Sequence, residues 1–234
     1  MIIVSDPSLY AEKESLYIKV RDKEGRVIPD SVLLQLPDTD TTSPYKQEWD
    51  IRKQNLERLL KYLRARFKNK AATIIDIGCG NGWMTHALHE QGYSMHGVDL
   101  NLTELQQAEK VFGTNNTLKW YYADIMQDAL PIAPADIILL SASCQYFSDL
   151  YMLTEQLLPM LGTNGEIHLA DSIFYDDTAA ARQRSETYYS SIGSPQMCQY
   201  YFHHSVKDLK KMGYRKLYPG LFNRSVLQWW CLAK

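Results

Sequence analysis

The sequence predicts one doubly wound α/β domain, with a mostly parallel sheet and helices on both of its faces. Short apolar segments alternate with helical patterns over most of the chain, which is typical of a parallel sheet. A glycine-rich turn directly follows the first of these segments, at the junction between a strand and a helix. The length of 234 residues is sufficient for one such domain with a full hydrophobic core.

Residues 1–45 are predicted to form an N-terminal appendage in front of the domain. Residues 16–20 and 32–36 have strand-like composition, and residues 22–25 supply a turn between them. We therefore predict a hairpin in this region. Residues 37–44 are rich in Asp, Thr and Pro, and they are predicted to be a loop.

The domain at residues 46–234 opens with a predicted helix, because apolar side chains recur there at spacings of three and four. These positions are Leu56, Leu59, Leu60, Leu63 and Phe67. Five strands are predicted next, at residues 72–77, 94–98, 118–123, 136–140 and 165–170. The helices between them are predicted at residues 82–91, 102–112 and 150–161. The chain is predicted to finish with a short helix after Ser205 and strands at residues 214–217 and 226–232.

Charge and cysteine usage argue against several kinds of partner and site. The 25 basic and 27 acidic residues give a formal net charge of −2, whereas proteins that bind a phosphate backbone usually carry a basic surplus. Nucleic acid is therefore not expected as the main partner. The four cysteines are far apart and form no Cys-x-x-Cys pair, so no metal site is predicted. Without a signal sequence or a long apolar run, the protein is expected to be cytoplasmic.

The strongest functional signal is the sequence Asp76-Ile77-Gly78-Cys79-Gly80-Asn81-Gly82 at the end of the first predicted strand. Glycines at such a turn let the backbone bend sharply and let a ligand approach it closely. The free amides at the start of the following helix would then face that ligand. The strand before this turn and the helix after it are the context that a nucleotide-type site requires.

Two further acidic residues follow the next two predicted strands. Asp99 ends the second strand, where a ribose-binding acid falls in a doubly wound fold, and Asp124 ends the third. Taken alone, an aspartate at a strand end is more often a helix cap or a turn residue. Together with Asp76, however, these acids would converge on one crevice at the carboxyl ends of three strands. A nicotinamide-dependent dehydrogenase is disfavoured, because its fingerprint requires glycine at position 83, which is occupied by Trp83.

The motifs D-I-G-C-G-N-G, G-V-D-L and A-D-I resemble those of class I S-adenosylmethionine-dependent methyltransferases. The resemblance spans roughly residues 50–234. It implies a Rossmann-like, seven-stranded, mostly parallel sheet, in which the predicted strand at residues 226–232 is the antiparallel last strand. It also implies that the cofactor is S-adenosylmethionine and that the reaction is methyl transfer.

The resemblance implies that the glycine-rich turn binds the methionine part of the cofactor. Gly78, Gly80 and Gly82 would line this part, and Asp76 would order its amino group. Arg52, in the helix before the first motif, is a candidate partner for the methionine carboxylate, since the N-terminal segment of similar enzymes folds over the cofactor.

The resemblance implies that the adenosine part lies against the residues that follow the next two strands. Asp99 would hold the ribose hydroxyls and Leu100 would pack on the adenine. Asp124 would accept a hydrogen bond from the adenine amino group, and the Ile125 amide would meet the ring. The full set of predicted cofactor-binding residues is Asp76, Gly78, Cys79, Gly80, Gly82, Asp99, Leu100, Asp124, Ile125 and Ser141.

The methyl acceptor is predicted to be a small molecule, with the methylated atom (oxygen, nitrogen or carbon) left open. Residues 141–147 lack the Asn-Pro-Pro-Tyr type signature of amide and adenine-N6 methyltransferases and the Pro-Cys pair of cytosine-C5 enzymes. In the family this segment edges the active site, so Gln145 and Tyr146 are predicted to lie beside the substrate. A protein or RNA methyltransferase and a non-catalytic S-adenosylmethionine-binding protein are the alternatives.

Residues 171–204 form a long insertion that is rich in aromatic side chains. We predict that it is a lid over the acceptor site and that Tyr175 and Tyr200 bind the substrate. The alternative is a helical cap that only packs onto the sheet. His203 and His204, at the end of the insertion, are the predicted catalytic bases, because imidazole titrates near neutral pH.

Overall fold

The computed structural model describes residues 1–68, 72–218 and 227–234, which build one sheet with helices on both faces. The strands are β1 (Ile2–Ile3), β2 (Thr73–Ile77), β3 (Ser94–Asp99), β4 (Leu118–Tyr122), β5 (Ala135–Ser141), β6 (Leu161–Ser172), β7 (Arg215–Tyr218) and β8 (Gln228–Ala233). The helices are α1 (Ala11–Lys23), α2 (Asp30–Leu33), α3 (Lys46–Phe67), α4 (Trp83–His89), α5 (Leu102–Phe112), α6 (Leu150–Leu157), α7 (Thr178–Ser191) and α8 (Val206–Lys211). In the described ranges, no helix combines the length and the apolar character that crossing a membrane requires.

The eight strands are arranged in the order β1-β4-β3-β2-β5-β6-β8-β7. All neighbouring strands are parallel except at β8, which is antiparallel to both β6 and β7. The predicted doubly wound, mostly parallel sheet is therefore confirmed, including an antiparallel last strand. The described part of the chain contains eight strands rather than seven, because Ile2 and Ile3 pair with β4 and add one strand at the edge. Residue 226, where the last strand is predicted to begin, lies outside the described residues.

The central strands are buried on both faces, and alternate side chains enter two separate cores. Ile74 of β2 packs with residues of α3, α4 and α5 on one face of the sheet. Ile75 and Ile77 pack with residues of α6 and α8 on the other. Because side chains two positions apart on a strand share a face, Asp76 points to the same side as Ile74. This direction decides where the first acidic residue of the motif lies.

The hairpin predicted within residues 1–45 is wrong, because both of its strands are helical. Residues 16–20 lie inside α1, and residues 32–36 begin within α2. The first turn of α1 carries acidic residues and its last turn carries basic ones, which complements the helix dipole. Of the apolar residues that suggest a strand, Leu16, Tyr17 and Val20 belong to a cluster in which Val20 packs with Tyr189 and Met197.

Two element boundaries near α6 also differ from the prediction. The helix predicted at residues 150–161 ends at Leu157, and Pro159 lies in the 3-10 turn Leu158–Met160 that follows. Proline cannot donate the hydrogen bond that would continue an α-helix. As a result β6 begins at Leu161 and runs to Ser172, so that it is longer on both sides than the strand predicted at residues 165–170.

A buried polar network joins β6 to β8 and α3. Trp229 Nε1 donates to His168 Nδ1 over 2.9 Å, and His168 Nε2 lies 3.1 Å from Glu166 Oε2. Since an indole N–H can only donate, His168 Nδ1 is the acceptor and its ring proton resides on Nε2. Glu166 also accepts from the Tyr62 hydroxyl over 2.8 Å. Burial lowers the pKa of His168, and the network is thus satisfied by a neutral imidazole between an indole and a carboxylate.

Candidate active site

A cavity of about 260 Å³ lies at the carboxyl ends of β2, β3, β4 and β5. In the sheet, β2 has β3 on one side and β5 on the other, so the strand order reverses next to this cavity. Open α/β sheets bind their ligands at such a switch point. The predicted cofactor-binding residues that line the cavity are Gly78, Cys79, Gly80, Asp99, Leu100, Asp124, Ile125 and Ser141.

The floor of the cavity is backbone, because two glycines of the loop after β2 adopt left-handed conformations. Gly78 has a φ of 72° and Gly80 a φ of 54°. A Cβ on Gly78 would lie 2.4 Å from the Cβ of Ser143, and a Cβ on Gly80 would lie 3.0 Å from Glu104 Oε2. Side chains at these positions would be both strained and crowded. A ligand in the cavity therefore meets the bare main chain here.

Asp99 fixes the loop after β2 to the end of β3. Its Oδ2 accepts a hydrogen bond from the Gly80 amide over 2.7 Å, and its Oδ1 accepts one from the Asn101 amide over 2.8 Å. Burial raises the pKa of Asp99, and these amide donors oppose the shift. Each carboxylate oxygen keeps a free lone-pair site that can accept from a ligand.

Asp124 is held by residues of the N-terminal segment. Its Oδ2 accepts from the Tyr10 hydroxyl over 2.9 Å, and its amide donates to Ser5 Oγ over 2.7 Å. Its Oδ1 accepts from the Met126 amide over 2.9 Å. Ser5 and Tyr10 thus hold Asp124 in its position in the cavity wall, a contact that the sequence analysis does not anticipate.

Two predicted cofactor-binding residues, Asp76 and Gly82, are not in the cavity wall. Asp76 lies beneath the loop, where its Oδ2 accepts from the Thr85 hydroxyl over 2.7 Å, and burial raises its pKa to about 7. Gly82 begins α4 and packs against the Trp120 ring. The structure therefore gives Asp76 and Gly82 supporting positions behind the loop rather than positions on the cavity surface.

The roof of the cavity comes from α1, which the sequence analysis misses. Lys13, Glu14, Tyr17 and Arg21 all line the cavity from this helix. Glu14 accepts from the Leu102 amide over 3.0 Å and from the Tyr122 hydroxyl, so it holds α1 to the start of α5. The signal that could have revealed a helix here is the sequence of acidic and then basic residues along α1.

The start of α3 supplies a paired set of charges at the opposite wall. Glu48 accepts two hydrogen bonds from Arg26, over 2.9 and 2.7 Å, and two from Arg52, over 3.2 and 3.0 Å. Arg52 and Trp49 both line the cavity, with the guanidinium 5.4 Å from the centre of the indole ring. Arg52 is therefore at the cavity, as its predicted contact with the cofactor requires, but it already has a carboxylate partner.

Three of the four predicted substrate-binding residues line the cavity: Gln145, Tyr146 and Tyr200. Tyr146 makes edge contacts with Tyr17, at 5.6 Å between ring centres, and with Tyr201 at 6.0 Å. The 3-10 helix Pro195–Tyr200 contributes Met197 beside Tyr200. Part of the aromatic insertion therefore does reach the cavity, through the 3-10 helix Pro195–Tyr200 rather than through α7.

Tyr175, His203 and His204 lie outside the cavity wall. Tyr175 packs edge-on against His203, at 5.3 Å between ring centres. His204 Nε2 lies 3.0 Å from the Cys144 carbonyl oxygen, so this ring nitrogen is in contact with the main chain. Both histidines line a separate pocket beside the start of α8. The structure gives no support to either histidine as a base, or to Tyr175 as a substrate contact.

The residues around the cavity fit S-adenosylmethionine. Its floor of glycines suits a ligand that approaches the backbone, and Asp99 offers acceptors for hydroxyl groups. Asn101, also in the cavity wall, has a buried side-chain nitrogen with no partner among the described residues. The aromatic faces of Trp49 and Tyr146 suit a cationic sulfonium.

Comparison with known proteins assigns the family. The model of the family described as "Methyltransferase domain" matches residues 49–218, and the chain belongs to this family. The resemblance found in the sequence is thereby confirmed: the chain belongs to a methyltransferase family, and it shares its fold with solved methyltransferases that bind SAH (S-adenosylhomocysteine). Among solved structures, it is similar to the magnesium protoporphyrin IX methyltransferase of Synechocystis PCC 6803 with bound SAH, with a TM-score of 0.62, 14% identity and coverage of 94% of this chain and 99% of the other. The plantazolicin methyltransferase in complex with SAH has a TM-score of 0.56 at 19% identity, with the same coverage of both chains.

Curated relatives match over part of the chain. The trans-aconitate 2-methyltransferase of Azoarcus sp. (strain BH72) is 32% identical over 109 residues, which cover 46% of this chain and 42% of the relative. The malonyl-[acyl-carrier protein] O-methyltransferase of Priestia megaterium (strain DSM 319 / IMG 1521) is 26% identical over 120 residues, which cover 50% of this chain and 43% of the relative. The matched segments thus span less than half the length of these relatives.

Proposed function

We propose that S-adenosylmethionine lies along the floor of the cavity, with its ribose at Asp99. The support is that Asp99 lines the cavity with both carboxylate oxygens positioned by main-chain amides. The methionine part then extends over Gly78 and Gly80, and the adenine lies beside Leu100 and Ile125. When bound, the cofactor supplies the activated methyl group, and the side chains of the roof orient the acceptor in line with it.

We propose that the acceptor of the methyl group is a small molecule. The observation that carries this proposal is the position of α1, which crosses the cavity and brings Tyr17 to 5.6 Å from Tyr146, measured between ring centres. With Tyr200 on a third side, the acceptor part is a narrow aromatic space. Such a space suits a flat metabolite better than a folded protein or an RNA strand. The name of the trans-aconitate 2-methyltransferase, which specifies a small acid, is consistent with this proposal.

A size-fractionated extract tests the proposal. The full-length enzyme is incubated with S-adenosylmethionine that carries a radioactive methyl group, together with either the low-mass filtrate or the macromolecular retentate of a bacterial cell extract. We expect label in products of the filtrate, and none beyond the no-enzyme background in the retentate. Label in the retentate that protease or ribonuclease removes would contradict a small-molecule acceptor and favour the protein or RNA alternative.

We further propose that the acceptor carries an acidic group that contacts Arg21. Arg26 and Arg52 are both bound to Glu48, whereas the nearest carboxylate to Arg21 is Glu24, at 3.9 Å. Arg21 lines the cavity beside Tyr17, and only 26% of its side chain is exposed. A largely desolvated guanidinium whose only carboxylate within 4 Å in the described residues is at 3.9 Å, too far for a hydrogen bond, is complementary to a carboxylate of a ligand.

Anion exchange and one substitution test this acidic group. Passing the filtrate over an anion-exchange resin is expected to remove its acceptor activity, whereas a cation-exchange resin leaves it. Arg21→Gln is expected to raise the KM for the filtrate acceptor by about 10- to 100-fold at saturating S-adenosylmethionine, the loss of one charged hydrogen-bonded contact. Arg64→Gln, which removes a guanidinium bonded to Gln91 on the outer face of α3, is the control and should leave KM unchanged. An acceptor retained by the cation resin, or an unchanged KM in Arg21→Gln, would rule the acidic group out.

A further inference from the structure

Glu104 is a carboxylate in the cavity wall that the cofactor motifs do not include. It lies in the first turn of α5 and lines the cavity between the glycine loop and α1. Its Oε2 is 3.0 Å from the point that a Cβ on Gly80 would occupy, so the carboxylate rests directly on the bare main chain of the floor. Gly80 is also the residue whose amide binds Asp99. Glu104 and Asp99 therefore face the same part of the cavity.

Glu104 differs from the other carboxylates in the wall because it has no hydrogen-bond donor within the described ranges. Asp99 accepts from two main-chain amides, and Asp124 accepts from the Tyr10 hydroxyl and the Met126 amide. Glu14 accepts from an amide and a hydroxyl, and Glu48 accepts from two arginines. Glu104 is only partly exposed, and a carboxylate in a cavity wall without protein donors is free to accept hydrogen bonds from a ligand.

The titratable side chains that face Glu104 come from four segments of the chain. These groups are Tyr17 and Arg21 of α1, Cys79 of the loop, Asp99 at the end of β3, and Tyr146 of the turn after β5. Burial and the negative charge of Asp99 raise the pKa of Glu104 to about 7, while Arg21 opposes this shift. Arg21 does not form a salt bridge with Glu104, since its nearest carboxylate belongs to Glu24.

We infer that Glu104 is a second ribose-binding carboxylate, which accepts a hydrogen bond from a cofactor hydroxyl beside Asp99 and releases a proton when the cofactor binds. The inference rests on the proposed position of the ribose at Asp99. A ribose diol presents two hydroxyl donors, and an ionised carboxylate is a stronger acceptor for them than a protonated one, which has one oxygen occupied by its own proton. The cofactor therefore binds the ionised form of Glu104 more tightly than the protonated form.

The sign of the resulting pH dependence follows from linkage. With a pKa of about 7 in the free enzyme, Glu104 is mostly protonated near pH 6 and mostly ionised near pH 8. Since binding favours the ionised form, the affinity for SAH is expected to rise by about tenfold between these pH values. Near pH 7, binding is expected to release a fraction of a proton.

Titration calorimetry of SAH with the full-length enzyme tests this inference, at about pH 6, 7 and 8 and in two buffers of different ionisation enthalpy. Glu104→Gln is expected to bind SAH about tenfold more weakly than wild type at pH 8, with no pH dependence and no proton release over this range. Glu109→Gln is the matched control, because Glu109 lies further along α5, where it binds the N-terminal amine outside the cavity. It should behave as wild type. Thermal unfolding confirms that each variant is folded.

A second ligand separates the ribose from the amino acid part of the cofactor. 5′-Methylthioadenosine keeps the adenosine but lacks the amino acid group, so Glu104→Gln should weaken its binding by the same factor as that of SAH. A loss confined to SAH would mean that Glu104 binds the amino acid part, and unchanged affinity and proton release would mean that it binds neither. Either result would overturn the inference. Failure of the proposed small-molecule acceptor leaves these equilibrium measurements unaffected, because they contain no acceptor.

Discussion

Asp99→Ala is expected to weaken the binding of S-adenosylmethionine and SAH by about a hundredfold or more. The Asp99 carboxylate holds the Gly80 and Asn101 amides, so its removal disorders the floor of the cavity as well as deleting the proposed ribose acceptor. Each charged hydrogen bond of this kind contributes about 1.5–3 kcal/mol, and about 1.4 kcal/mol corresponds to tenfold in affinity. Titration calorimetry with both ligands measures the effect. NAD is titrated as the comparison ligand, because it is the cofactor that a dehydrogenase would bind.

The control for this substitution is Asp136→Ala. Asp136 also accepts from a main-chain amide, that of Thr73 over 2.9 Å, but it lies at the start of β5, at the opposite end of the sheet from the cavity. Its removal should leave the affinity for SAH unchanged. If folded Asp99→Ala retains the wild-type affinity, the ribose does not lie at Asp99, and the cofactor must be repositioned in the cavity.

The parts of the site that could be predicted are those in which local sequence determines position. Asp99 and Asp124 directly follow strands whose period is visible in the sequence, and parallel strands bring their carboxyl ends to one edge. The glycine loop likewise carries its conformation in its residue types, since left-handed φ values favour glycine. These residues line the cavity because no distant contact is needed to bring them there.

Asp76 and Gly82 illustrate a limit of reasoning from a motif. The motif places both residues in one loop, but the strand period turns Asp76 toward the face of the sheet that α4 covers, where it meets Thr85. Membership of a glycine-rich loop does not decide whether a residue faces the ligand or the core. That distinction depends on the helix packed behind the loop.

The residues that sequence reasoning misses reach the cavity through tertiary structure. α1 contains residues that suggest a strand, and it is stabilised by packing on the segment that contains Tyr189 and Met197, far along the chain. Arg21 and Glu104 then line the same cavity although they belong to different elements. His203 and His204 show the converse: they end the aromatic insertion in the sequence, but they lie outside the cavity wall, in a separate pocket beside the start of α8.

Gly82→Ala is expected to destabilise the protein by about 3–5 kcal/mol, the largest effect of any single methyl group that we consider. Gly82 has a φ of 77°, and an added Cβ would lie 2.5 Å from Cη2 of Trp120, a ring that is fully buried and held by a 2.8 Å hydrogen bond to the Gly113 carbonyl oxygen. Left-handed strain in a non-glycine residue costs about 1–3 kcal/mol, and overpacking a core costs a similar amount. Urea unfolding of the variant against wild type measures the sum.

Two comparisons separate the strain from the overpacking at Gly82. Gly92 has a φ of 90° but no heavy atom within 4 Å of an added Cβ, so Gly92→Ala carries only the backbone strain and should cost about 1–2 kcal/mol. Trp120→Phe removes the ring atoms nearest to the added Cβ, so the double variant with Gly82→Ala should be less destabilised than the sum of the two single variants. The packing explanation would be contradicted if Gly82→Ala and Gly92→Ala lowered the free energy of unfolding equally, or if the effects of Gly82→Ala and Trp120→Phe were strictly additive. Either result would show that the Trp120 ring accommodates the added methyl group without a free-energy cost. If the packing explanation is correct, the folded fraction of Gly82→Ala should bind SAH as wild type does, because this third glycine of the motif supports the helix and not the ligand.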